Sequence, residues 1–295
     1  MKTMKMGRRA LIATAVATFS LNAAAFADGH KVLDDIHFII PGGGGGVAIS
    51  FMIENADSNH DTLMVNSTPI VIRSLTGVFP HNFRDLTLVS GTIGDYAALV
   101  VPADSDVSNM EEFLTVYDAN PAATPIGGGS VPGGMDHLVA AMVMEASGRD
   151  ALEVNYIPYD AGGTAMAALL SGEIKALSTG FSEAVDLANQ GEIKIIGVTA
   201  DSRVDAAPDA MTMIEQGIDT TFINWRGFFA VPGLPEEKLL AYQTAIAAMY
   251  DTQEWETVRA RNGWVNIHNS GDDFLTFLEE QEIAIGDLMR KLGFL

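Results

Sequence analysis

Few side chains in this sequence stand at spacings that support covalent chemistry. Cysteine is absent, which excludes thiolate nucleophiles, disulfides and Cys-based zinc sites. His30, His37, His60, His81, His137 and His268 share no metal-ligand spacing, so no metal site is expected. Asp104 and Asp106 resemble the start of a calcium loop, but the glycine at position six and the acid at position twelve are missing. No Gly-Lys pair exists for a phosphate loop. Both glycine runs fail the dinucleotide fingerprint, because Val47 and Pro132 occupy the last glycine position. Ser130, Asp136 and His137 would supply the residue types of a hydrolase triad. Adjacent Asp and His on one helix point in different directions, and no G-x-S-x-G elbow surrounds Ser130. No catalytic residue and no cofactor are expected.

What remains is a repeated backbone device. Glycine-rich turns at Gly42–Gly46, Gly127–Gly134 and Gly162-Gly163 each precede a helical pattern. Each offers unpaired N–H groups and the positive end of a helix dipole. Three such ends converging on one cleft would bind a carboxylate or phosphate without a single Arg or Lys. Tyr159, just ahead of the third turn, reads either as an aromatic wall with a hydroxyl donor or as a core tyrosine. His137, one turn into its helix, stands where it could donate to a ligand or cap locally. Ser67 and Thr68 read first as a helix cap and second as ligand hydroxyls.

The elements that must position these turns alternate. Strands are expected at Ile36–Ile40, Thr62–Val65, Leu86–Thr92, Ala97–Val101, Val154–Ile157, Ile174–Ser178, Ile193–Thr199 and Gly227–Val231. Helices are expected near Val47–Asn55, Met110–Ala119, Met135–Ala146, Thr164–Leu170, Ser182–Asn189, Pro235–Tyr250, Thr252–Arg261 and Asp272–Leu292. Strand–helix alternation of this kind predicts an α/β fold with mainly parallel sheets. Two stretches share a grammar of strand, Pro, turn and helix: VVPADSDVSNMEEF, with a capping box at Ser108 and Glu111, and WRGFFAVPGLPEEKL, with Pro235 opening the helix. They predict two crossings between lobes: residues 28–103 plus 225–295 in one, 104–224 in the other.

The N-terminus carries Lys2, Lys5, Arg8 and Arg9, then an apolar run to Ala24 and an Ala25-Phe26-Ala27 cleavage pattern. This is a secretory leader, removed after Ala27, by the Sec or the twin-arginine route. Absence of cysteine in an exported chain fits a bacterial periplasm. The chain has 17 basic and 38 acidic residues, a net charge of −21, and the leader removes only basic ones. Nucleic acid and anionic lipid are therefore excluded as partners. A small anion is not, because salt screens the long-range field within about 10 Å.

The blocks IHFIIPGG, TLMVNST, ALVVPADS, GGGSVPGGMDHLVA, YIPYDAGGTAMAALLSGEI, GEIKIIGVTADSR and WRGFFAVPGLP, in this order, resemble the periplasmic receptors of tripartite tricarboxylate transporters, the Bug-type binding proteins. The resemblance implies a two-lobed, type II periplasmic binding fold. Such a receptor, a monomer, closes on a small carboxylate and delivers it to the large and small membrane subunits of a transporter. The family's loops fall on Pro41, Gly42 and Gly43; on Asn66, Ser67 and Thr68; on Gly128, Gly129, Ser130, Gly133, Gly134 and His137; and on Ile157, Pro158, Tyr159, Gly162, Gly163 and Thr164.

Three positions depart from the family pattern: Gly129 and Gly134, where serine is frequent, and Ala161, where glycine is. A larger departure follows Gly43. Gly44-Gly45-Gly46-Val47-Ala48 resembles the end of a second glycine loop, as though about 30 residues, one βα unit, had been deleted near residues 43–44. The first lobe would then lack a helix and a strand. Sequence alone leaves a carboxylate sensor, a non-binding degenerate copy and a periplasmic hydrolase as alternatives to transport.

Overall fold

The structure, a computed structural model, describes residues 33, 35–40 and 45–295, together with the backbone of 17–19. The leader's charged start and cleavage site, Gly42, Gly43 and the expected deletion seam lie outside these residues. The strands are β1 (Ala17–Phe19), β2 (Ile36–Ile39), β3 (Thr62–Ser67), β4 (Thr87–Pro102), β5 (Ile126–Gly128), β6 (Tyr156–Pro158), β7 (Ala176–Gly180), β8 (Ile193–Val198), β9 (Ile223–Ala230) and β10 (Val265–Ser270). The helices are α1 (Gly46–Glu54), α2 (Thr68–Thr76), α3 (Met110–Ala119), α4 (Met135–Ala146), α5 (Gly162–Leu170), α6 (Phe181–Asn189), α7 (Glu236–Tyr250), α8 (Gln253–Asn262) and α9 (Asp272–Lys291).

The strand order is β1-β2-β3-β9-β4-β7-β5-β6, with β8 and β10 also pairing to β4. The α/β class holds, but the sheets are mixed rather than mainly parallel. β2 with β3, β5 with β6 and β5 with β7 run parallel. Every pairing made by β4 or β9 is antiparallel. The reason is topological. These two strands carry the chain from one sheet half to the other, so they enter each half against the direction of its βα units.

β4 changes partners along its length. Thr87–Tyr96 pairs with β9, and Ala97–Pro102 with β7 and β8. The two strands expected at Leu86–Thr92 and Ala97–Val101 are thus one strand. Two register shifts against β9 let it twist and bend. Its apolar residues alternate between two cores: Ala97, Leu99 and Val101 in the larger, Ala98 and Val100 in the smaller, which packs on α5 and α6.

β9 sorts its side chains by the same period of two. Trp225, Gly227 and Phe229 face α9, where Phe274 lies 6.2 Å from Trp225 and 5.5 Å from Phe229 between ring centroids. A side chain at Gly227 would collide with the Phe274 ring, 2.5 Å away. Asn224 and Arg226 therefore point to the opposite face of the strand. The helix after β4 is capped one residue later than expected. Asn109 accepts from the Glu112 N–H (2.9 Å), and the Glu112 carboxylate reaches back to the Ser108 N–H (2.7 Å).

Candidate functional site

The second and third glycine turns meet backbone to backbone. A Cβ placed on Gly129 would lie 2.3 Å from the Gly162 nitrogen, so only glycine permits this approach. The loop from β5 to α4 is closed by its own side chains. Ser130 Oγ donates to Asp136 Oδ2 (2.9 Å) and accepts the Asp136 N–H (2.8 Å). Gly133, with φ 75°, donates its N–H to His137 Nδ1 (2.9 Å), and Gly134 N–H goes to the Val131 carbonyl (2.8 Å).

His137 is turned away from Ser130. Its ring stacks on Tyr156 at 4.3 Å and meets the edge of Phe294 at 4.9 Å, and burial lowers its pKa. Ser130 bonds to Asp136 instead, so the three residues are not arranged in triad order. The Tyr159 hydroxyl donates to Glu173 Oε1 (2.9 Å). Thr164 Oγ1 donates to the Ala161 carbonyl (2.7 Å) and accepts the Ala161 N–H (3.2 Å), closing the turn that starts α5. Gly162 and Gly163 open that helix with N–H groups that have no intrahelical acceptor.

Ser67 occupies the N-cap position of α2, but its hydroxyl makes no capping bond. Thr68 is fully buried, and its hydroxyl has no partner. The Asn66 side chain accepts the Ser67 N–H (2.8 Å), while its buried Nδ2 is left unpaired. Across β9, Ser67 pairs with Arg226.

The charged members of the site were not visible as a motif. Asp95 lies in β4 where it changes partners, opposite Asn224 and 1% exposed. It accepts from Ser182 Oγ (2.7 Å) and the Ser182 N–H (3.2 Å) at the start of α6, and faces Arg226 Nη2 at 3.9 Å. Desolvation raises its pKa to about 6, against the lowering effects of Ser182 and Arg226. Asp136 is raised to about 7, again mainly by burial, with Glu183 adding to the rise and Ser130, Gly129 and Arg226 opposing it. Glu183, exposed in the first turn of α6, accepts from Thr179 Oγ1 (2.7 Å). Its Oε2 lies 2.6 Å from where a Gly162 side chain would begin.

Asp95, Asp136, Glu183 and Arg226 thus gather where α4, α5 and α6 begin. Two unit charges about 6 Å apart in such a partly buried place interact by roughly 3 kcal/mol at an effective dielectric near 20. The only sequence signals were a lone acid inside an apolar strand and a lone Arg beside Trp225. Among the described residues no cluster of His, Asp and Glu is placed to hold a metal ion. A separate depression of about 400 Å³ between α3 and the end of α4 includes Arg149. That guanidinium is already held by Asp118 (2.9 Å).

Comparison with known proteins adds a second line of observation. A model described as "tripartite tricarboxylate transporter family receptor" matches residues 38–294. A UPF0065 protein of Bordetella pertussis is 25% identical over 234 residues, covering 76% of this chain and 71% of that protein. A TctC solute-binding protein from Polaromonas, solved without ligand, superposes with a TM-score of 0.63 at 24% identity over 85% of each chain. MatC from Rhodopseudomonas palustris, solved with malate, gives 0.72 at 18% identity over 84% of this chain and 85% of its own. Another R. palustris protein, solved with adipate, gives 0.76 at 19% identity over 85% of this chain and 84% of its own. These likenesses identify the fold as the two-lobed periplasmic binding architecture.

Proposed function

The chain belongs to the tripartite tricarboxylate transporter family receptors, periplasmic solute-binding proteins, and from that premise we propose that it binds a small carboxylate between its two lobes. It then delivers that ligand to the large and small membrane subunits of a transporter. The observation that carries the reading is the convergence of the α4, α5 and α6 N-termini on the Arg226 face of the crossing strands. Helix N-termini and a guanidinium together favour an anionic group. Malate and adipate in the two R. palustris neighbours are consistent with this ligand class. Lobe closure about β4 and β9 would complete the site.

The lobes, on this reading, are residues 28–103 with 225–295 and residues 104–224, so that the chain crosses at the end of β4 and within β9. The proposed role is binding, not catalysis, and it is supported by the Ser130–Asp136 bond that leaves His137 outside. Export with removal of residues 1–27, and action as a monomer, complete the proposal. A thermal-shift titration of the exported form with mono-, di- and tricarboxylates tests it. Stabilisation should grow with the logarithm of ligand concentration above Kd, and R226A should abolish it. No shift across the panel would overturn the receptor reading and favour a copy that folds without binding.

A further inference from the structure

The charge arrangement of the cleft narrows the ligand further, on the premise that this cleft is the binding site. On the second-lobe side, helix N-termini that would attract an anion already face the protein's own carboxylates. Asp136 takes the Ser130 hydroxyl ahead of α4. Asp95 takes the Ser182 N–H and hydroxyl at α6. Glu183 stands against Gly162 at the start of α5. A ligand carboxylate brought to this side would meet carboxylates.

An independent observation points the same way. Asn224 is 5% exposed and lies opposite Asp95 in the β4–β9 pair, on the strand face it shares with Arg226. Its Oδ1 has no hydrogen-bond donor. A buried acceptor left unpaired calls for a donor, and so does the Asp95 carboxylate on the neighbouring strand. Arg226 has the opposite need. Its side chain is 29% exposed, and at 3.9 Å from Asp95 it makes a loose ion pair rather than a bidentate one.

We infer that the ligand is a small amino-carboxylate, whose carboxylate lies on Arg226 beside the β3–α2 turn and whose ammonium group lies among Asn224, Asp136 and Glu183. The arrangement discriminates by repulsion as well as attraction. A dicarboxylate of equal length would present its second charge to the acidic side, whereas the amino acid presents three donors.

Calorimetric titration of the purified full receptor with matched pairs at neutral pH tests this: β-alanine against malonate, and γ-aminobutyrate against succinate. The amino-carboxylate of at least one pair should bind about tenfold tighter than its dicarboxylate. E183Q should narrow that ratio or reverse it, with D136N as a second variant where E183Q melts early. R226A should weaken both members of the pair. A dicarboxylate that binds more tightly than its partner in the unmodified protein overturns the inference and leaves the carboxylate-receptor reading standing. A preference for the amino acid that survives both acidic variants also overturns it. Binding of neither series overturns the inference, and with the wider carboxylate panel also silent, the receptor reading falls too.

Discussion

On the α4–α5–α6 side of the candidate site, the side chains of the turns find partners within the protein, while the first N–H groups of α5 and Asn224 Oδ1 do not. Ser130 bonds to Asp136, Gly133 to His137, and Ser182 to Asp95. On the β3–α2 side the reverse holds. The Thr68 hydroxyl and Asn66 Nδ2 are buried without partners, and Ser67 caps nothing. One half of the proposed site is largely closed on itself, and the other is left with buried, unmet hydrogen bonds at adjacent residues. Unpaired buried donors cost about 1–3 kcal/mol each. The unfinished half therefore stores free energy that a ligand or an ordered water can release, while the finished half supplies rigid shape and negative charge.

The largest effect should come from breaking the finished half at its tightest point. G129A drives a methyl into the Gly162 backbone, 2.3 Å from its nitrogen. Backbone cannot rotate away as a side chain can, so a loss of about 3 kcal/mol is expected. G163A, in the next turn, meets nothing within 4 Å. It should leave the melting temperature level or slightly higher, since alanine restricts the unfolded chain. Thermal melts of the two variants decide whether close backbone contact, rather than glycine as such, builds this half. Equal losses would refute that account.

Proton linkage should show the next largest effect. Asp136 has its carboxyl raised from 3.8 to about 7 by burial. The native state therefore favours the protonated form. Its contribution to stability is fully present below about pH 4 and is lost as pH rises towards 7. Asp95, raised to about 6, acts in the same direction over a lower window. Stability should fall by about 2 kcal/mol or more between mildly acid and neutral pH from Asp136 alone. Denaturation of D136N across this range should show a shallower slope. An unchanged slope would mean that the carboxylate is adequately solvated or paired when ionised.

The sequence reveals these halves unequally. Glycine turns before apolar helices were readable because φ freedom and close approach have few other solutions. Strands at Thr62, Ile193 and Gly227 and helices at Met110, Met135 and Asp272 followed from period. β4 did not read as one strand, because Gly91, Gly94 and Asp95 look like a turn until β9 and β10 satisfy their backbone. The start of α2 is legible in the helix-cap reading of Ser67 and Thr68, but its extent is not, because Thr68-Pro69-Ile70-Val71-Ile72 is rich in β-branched residues; packing of Ile70, Val71 and Ile72 into the core overrides that preference. β10 does not stand out because Val265–Ser270, although it alternates strictly between half-buried and exposed, has no fully buried residue and carries apolar side chains only at Val265 and Ile267. The ring of Asp95, Asp136, Glu183 and Arg226 draws on β4, α4, α6 and β9. No local pattern marks a group that only topology assembles.

The smallest effect probes the unfinished half and has a distinctive sign. T68V replaces a fully buried hydroxyl that has no partner with a methyl of nearly the same volume. Removing an unsatisfied polar group without opening a cavity should raise the stability of the ligand-free protein by about 1 kcal/mol. The same hydroxyl stands in the first turn of α2, close in sequence to Ser67, which pairs with Arg226. If the group waits for a ligand, T68V should bind γ-aminobutyrate or succinate more weakly, although it melts higher. Higher stability with unchanged affinity would mean that the unpaired hydroxyl takes no part in recognition, and would confine recognition on this side to Arg226. Lower stability would show that the hydroxyl is already satisfied in solution, and the contrast between the two halves would not hold at this position.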